Sequence, residues 1–209
     1  MVHDDRANAT RWAHEMLTHP SALILDTETT GLGDDAEIVQ IAVIDMAGQT
    51  RLDTLVRPAR PIPPAATEIH GITDAMVTDA PTIGDVYDQL LTLLMGELVI
   101  IYNAAYDVRL LAQSIRAAAV FDPTLKGHER DMAGFAHWHC AMLQYSAWVG
   151  DWNDYHGSYR WQRLPGGDHS ALGDCRATLA VLQRMAASAT TAPAGEPELP
   201  LYDDDDDTR

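Results

Sequence analysis

Apolar residues recur along the chain in two periods, and the change from one to the other marks out the elements. Residues 21–26 form a continuous apolar run of strand length between Pro20 and the turn around Gly31 and Gly33. Residues 38–45 read as a second strand and the alternating residues 50–56 as a third, with Gly48 and Gln49 supplying a hairpin turn between them. Residues 57–66 are dense in proline, which predicts extended chain with no helix. A helix follows over residues 83–95, with Leu90, Leu91 and Leu94 at helical spacing, then a strand over residues 98–102. A further helix is predicted over residues 104–119, and a last one over residues 170–187, where Leu172, Cys175, Leu179 and Leu182 form the buried seam. Three strands followed by helix, strand and helix predict an α/β fold with a mixed central sheet flanked by helices in a single domain.

Residues 121–165 are less regular. A helix is expected over residues 141–149 and a mobile loop over residues 151–158. Trp138, Trp148, Trp152 and Trp161 predict packing, while Lys126, Arg130, Arg160 and Arg163 scatter positive charge. The domain is expected to span residues 21–187, with a helical extension over 1–20. Residues 188–209 have the acid- and proline-rich composition of a disordered tail.

Hydrophobic residues make up 46% of the 209, which excludes a wholly disordered chain. No apolar run approaches the roughly 20 residues that cross a bilayer, and the polar N-terminus lacks the apolar core of a signal peptide. Cys140 and Cys175 form no paired motif, so a reduced, cytoplasmic protein is expected. The net charge of −17 sets 31 acidic residues against 14 basic ones. Bulk attraction to nucleic acid is thereby excluded, because that attraction needs Lys and Arg to displace counterions. Any handling of nucleic acid must be local, through metals and a few arginines.

The acids themselves are placed suggestively. Asp26 and Glu28 stand at i and i+2 of the first strand, on one face and about 6.5 Å apart along the chain. They sit at the carboxyl end of the strand, where open α/β sheets place their ligands. Asp107 begins the core-facing stripe of the helix that follows the strand over residues 98–102. Asp174 lies in the first turn of the last helix, which Ser170 would cap, with His169 just outside it. Each has an ordinary explanation alone: a strand surfacing, an acid favoured by the helix dipole, a surface histidine. Four carboxylates meeting one sheet edge would, however, repel one another, and two divalent cations about 3.5–4 Å apart would neutralise them. Ligands that are oxygen only favour Mg²⁺ or Mn²⁺ over Zn²⁺.

The segments Asp-Thr-Glu-Thr-Thr-Gly (26–31), Asn-Ala-Ala-Tyr-Asp (103–107) and His-Ser-Ala-Leu-Gly-Asp (169–174), in this order, resemble the three motifs of the DEDDh family of 3′–5′ exonucleases. That family includes the proofreading epsilon subunit of bacterial DNA polymerase III. Residues 69–73 resemble a further family element. A histidine five residues before the last aspartate is the mark of this branch, while Tyr102 stands where the epsilon pattern often has histidine.

The resemblance implies an RNase H-like fold. It implies that Asp26, Glu28 and Asp174 hold one Mg²⁺ or Mn²⁺ ion and that Asp26 and Asp107 hold a second. His169 would be the general base, a role suited to a side chain that ordinarily titrates near pH 6.5, roughly the working pH. Thr27, Leu32, Ile69, His70 and Asn103 would contact the terminal nucleotide, with His70 equally open to a structural loop role. The implied activity is two-metal hydrolysis of 3′-terminal nucleotides from single-stranded DNA to 5′-mononucleotides, in proofreading or repair. Trimming of RNA ends, or an inactive binding module on the same fold, are the alternatives.

Two further features complete the reading. His137, His139 and Cys140, with His156 nearby, hint at zinc but lack the paired spacing of structural zinc sites. Leu199, Leu201 and Tyr202, just before the aspartate run at 203–207, resemble the short peptides that bind the bacterial sliding clamp.

Overall fold

The computed structural model describes residues 2–128 and 134–188. Helix α1 spans Val2–Thr18 and leads into three strands, β1 (Leu23–Thr29), β2 (Ile38–Asp45) and β3 (Thr50–Leu55). Two short helices, α2 (Pro64–His70) and α3 (Asp74–Val77), precede α4 (Ile83–Leu94), β4 (Leu98–Ile101) and α5 (Ala104–Ala118). Strand β5 (His137–Cys140) runs directly into α6 (Ala141–Val149). A small hairpin of β6 (Trp152–Asn153) and β7 (Ser158–Tyr159) follows, and α7 (Ala171–Ala187) is the last described helix.

The five long strands form one sheet in the order β3-β2-β1-β4-β5. β1 pairs antiparallel with β2, and β2 with β3, whereas β1–β4 and β4–β5 are parallel. This is the mixed sheet expected, and strand alternation gives it two faces. Leu23, Leu25, Ile41 and Val43 pack in one core with α4 and α5. Ile24, Ala42 and Ile44 pack in a second core with α1, α6 and α7. Ala9, Ala13 and Met16, at helical spacing, are buried in that second core, so α1 is part of the helical layer.

Three expectations are corrected. First, residues 57–66 are not free of helix: Pro63 caps α2 and Pro64 begins it. Proline at the first helical position gives up only an amide that has no intrahelical partner anyway. Second, residues 151–158 are not a loop throughout, since Trp152 pairs with Tyr159 and Asn153 with Ser158. Third, the tryptophans do not all pack. Trp148 is buried and Trp138 partly so, but Trp152 is 45% and Trp161 73% exposed. Arg130 and the expected acidic tail, with Leu199, Leu201 and Tyr202, lie outside the described residues. No described helix is long and apolar enough to cross a membrane.

Candidate active site

β1 places the first two acids. Ile24, Asp26 and Glu28 alternate onto the sheet face that α7 covers, while Thr27 points to the other side. α7 is fixed on that face by Cys175, whose thiol approaches the carbonyls of Ile24 at 3.6 Å and Ala42 at 3.5 Å. One residue before Cys175, Asp174 is thereby carried to the end of β1. Oxygens of Asp26, Glu28 and Asp174 lie within 4.8 Å of one another.

Asp107 arrives by a different route. β4 runs parallel to β1, with Leu23 opposite Val99 and Ile24 opposite Ile100, so the chain leaves β4 beside the end of β1. α5 starts at once and holds Asp107 in its first turn, 4% exposed. The hydroxyl of Thr27 donates to Asp107 Oδ1 at 2.7 Å. The four acids, His169, Thr27 and Asn103 line one pocket of about 190 Å³ together with Tyr102, Tyr106 and Leu164.

The loop before α7 is tightly interlocked. Ser170 caps the helix by accepting from the Gly173 amide at 3.1 Å, and Asp168 Oδ1 accepts from the Ser170 hydroxyl at 2.8 Å. The Asp168 amide in turn donates to Asp174 Oδ1 at 2.9 Å. His169, exposed between them, has φ 61°, the left-handed region that side chains other than glycine seldom adopt.

The acids repel one another in a poorly solvated place. Burial pushes the Asp26 carboxyl well above the usual range, and the charges of Asp107, Asp174 and Glu28 push it further. Burial, with the charges of Asp174, Asp107 and Asp168, lifts Glu28 to about 7. Asp107 and Asp174 are also raised by burial, against hydrogen bonds that favour their charged forms. Such a set of oxygen donors fits a hard divalent cation, which would return all four to their ionised state.

The other expected contacts divide. Thr27 and Asn103 are in the pocket; Leu32 and Ile69 stand outside it, 80% and 60% exposed. His70 is held by the backbone at both ring nitrogens: Nδ1 accepts from the Ile72 amide at 3.0 Å, so Nε2 carries the proton toward the Thr29 carbonyl at 3.2 Å. The ring thus ties α2 to the end of β1. His137 and His139 lie on one face of β5, where His139 Nδ1 accepts from Trp12 at 3.4 Å. The Cys140 thiol turns to the Tyr102 carbonyl at 3.3 Å. Among the described residues, the one group of three or more acidic, histidine or cysteine side chains with metal-ligand spacing is Asp26, Glu28 and Asp174. Tyr102, Tyr106, Leu164 and Asp168 were not singled out as site residues from sequence. Tyr106 lies inside the second motif and Tyr102 and Asp168 border motifs, whereas Leu164 carries no such signal.

Comparison with known proteins agrees with the geometry. A family model described as exonuclease matches residues 23–182. An uncharacterised exonuclease of Escherichia phage 186 is 42% identical over 180 residues, covering 78% of this chain and 87% of its own length. Exodeoxyribonuclease 10 of Escherichia coli K12 is 36% identical over 167 residues, 76% of this chain and 66% of that protein. The structure of exonuclease X in complex with 5′ overhanging duplex DNA aligns with a TM-score of 0.53 at 32% identity. That alignment covers 82% of this chain and 94% of the other. The family match runs from the first residue of β1 into the last turns of α7 and takes in all four carboxylates and His169; the chain belongs to the exonuclease family, as its three motifs implied.

Proposed function

We propose that this exonuclease removes nucleotides from the 3′ end of single-stranded DNA and releases 5′-mononucleotides. The observation that carries the reading is the convergence of Asp26, Glu28, Asp107 and Asp174 in one pocket beside His169. The DNA preference is supported by the similarity to exodeoxyribonuclease 10 and by the DNA in the exonuclease X structure. Asp26, Glu28 and Asp174 would hold one Mg²⁺ or Mn²⁺ ion, and Asp107 with Asp26 a second. When bound, such ions polarise a phosphodiester and ease deprotonation of water. His169, exposed outside α7 and lining the pocket, would take the proton of the attacking water. Thr27 holds the Asp107 carboxylate in place through its hydroxyl. The Asp168 amide does the same for Asp174.

The test is digestion of a 5′-labelled oligodeoxynucleotide with Mg²⁺ or Mn²⁺. The wild type should give a ladder shortened from the 3′ end, silent in EDTA. Asp26→Ala and Asp174→Ala should lose the activity. Wild-type rates in either variant, or immediate release of the 5′ label as a mononucleotide with no ladder, would refute the reading.

A further inference from the structure

Residues 160–163 bring an exposed aromatic ring and an exposed guanidinium within two residues of each other, just before Leu164 of the pocket wall. Between β7 and the loop before α7, residues 161–164 alternate between exposed and half-buried. Leu164 turns inward to line the carboxylate pocket, and Gln162 lies half-buried beneath the surface. Trp161, 73% exposed, and Arg163, also exposed, both reach solvent. Arg163 has no ion-pair partner among the described residues, whereas Arg160 is paired with Asp151 at 3.5 Å.

The segment is fastened from below. The Tyr102 hydroxyl, itself in the pocket wall, donates to the Gln162 carbonyl at 2.8 Å, and the Gln162 side-chain amide donates to the Arg160 carbonyl at 3.0 Å. The Arg160 amide donates to the Asp151 carbonyl at 2.8 Å, and Tyr159 donates to Asp5 of α1 at 2.8 Å. An exposed indole on a fixed backbone, continuous with a catalytic pocket, calls for a planar partner. Successive bases of a single strand supply one, and stacking is indifferent both to sequence and to the net charge of −17.

We propose that residues 160–163 form a stacking platform for single-stranded DNA just outside the carboxylate pocket, Trp161 taking a base of the strand behind the terminal nucleotide and Arg163 the adjoining phosphate. The proposal rests on the exonuclease reading above and adds to it a requirement: the preferred substrate is a single strand several nucleotides long.

The experiment compares KM for a dinucleotide with KM for an oligothymidylate of about twelve nucleotides, using the full-length protein and Mg²⁺. The wild type should favour the longer strand by about tenfold or more, the worth of one good stack. Trp161→Ala should lose most of that length advantage, Arg163→Ala part of it, and Trp161→Phe should keep most. Tryptophan fluorescence in EDTA reads the same contact without turnover: oligothymidylate should quench the wild type, and the quench should vanish in Trp161→Phe. A length advantage untouched in Trp161→Ala overturns the platform while leaving the exonuclease intact. So does a Trp161→Ala protein whose only change is a smaller oligomer, which would make this face a protein interface. A wild type that shortens neither strand defeats the exonuclease reading, and with it the platform.

Discussion

A methyl group on Gly173 would sit 2.0 Å from Oδ1 of Asp168, closer than any real contact allows. Elsewhere in a helix, Gly→Ala is worth up to about 1 kcal/mol of stability. Here it must displace Asp168 from Ser170 and loosen the carboxylate of Asp174. Gly173→Ala should lower the melting temperature, with an overpacking cost of about 1–3 kcal/mol. Adding Asp168→Ala should restore part of it, a coupling that a double-mutant cycle measures. A rise in melting temperature for the single variant would refute the interlock. His169 offers the complementary case. Because asparagine tolerates the left-handed backbone, His169→Asn should keep the fold and its stabilisation by Mg²⁺. Its kcat should nevertheless fall by about 10²–10⁴, the usual worth of a general base, as steady-state kinetics beside thermal melts would show. The acids were legible in the sequence because each interrupts a hydrophobic period at the end of a strand or the start of a helix. The interlock of Asp168 and Gly173 was not, since it depends on the path of a turn that no period encodes.

Among the elements, α5 does more than deliver Asp107. The Tyr106 hydroxyl bonds the Gly31 carbonyl at 2.8 Å, and Arg109 reaches the Leu32 carbonyl at 3.2 Å. The buried Gln113 amide bonds the carbonyls of Gly33 at 3.2 Å and Ala36 at 3.1 Å. One helix face thus fastens the loop that presents Leu32. Gln113→Ala takes its donor from the buried Ala36 carbonyl, while the Gly33 carbonyl keeps the Ala36 amide and Arg109, and should cost about 1–3 kcal/mol in urea unfolding. Its oligonucleotide KM should rise more than its kcat falls. An unchanged KM would mean that the loop holds its shape without α5. The spans of β2, α4 and α5 were readable because local signals agree with packing; α4, for instance, begins at a reciprocal Thr82–Asp85 cap. The proline-led start of α2 and the β6–β7 hairpin were harder. In both, a weak local preference is decided by contacts from elsewhere in the chain, such as Tyr159 with Asp5.

Across the whole molecule, charge separates what the site gains from what the fold bears. If Arg163 is the cation that meets the strand, with Arg160 held by Asp151, the salt dependence of oligonucleotide binding should be shallow. The slope of log K against log salt would be about −0.7, far from the steep slopes of basic nucleic-acid binders. Stability should respond in the opposite sense to what a reader of acid denaturation expects. Glu28 titrates at about 7 in the folded protein, against 4.5 ordinarily. Between those values the folded chain keeps a proton that the unfolded chain has lost. Its contribution to stability is therefore full below about pH 4.5 and is lost as pH rises through 7, at most about 3 kcal/mol. Asp26, Asp107 and Asp174 are raised as well and act in the same direction. His70, lowered by burial, works against them, destabilising the fold as pH falls below its ordinary 6.5. Comparison with Glu28→Gln cancels that term. In EDTA the melting temperature of the wild type should drop more between pH 5 and pH 8 than that of Glu28→Gln, and at pH 8 the variant should be the more stable. Mg²⁺ should reverse the order if, as proposed, the native state alone binds it through the ionised acids, with a stabilisation that grows with the logarithm of its concentration. Identical pH slopes for the two proteins in EDTA would show that Glu28 is well solvated and that the acids do not crowd one another as their positions require.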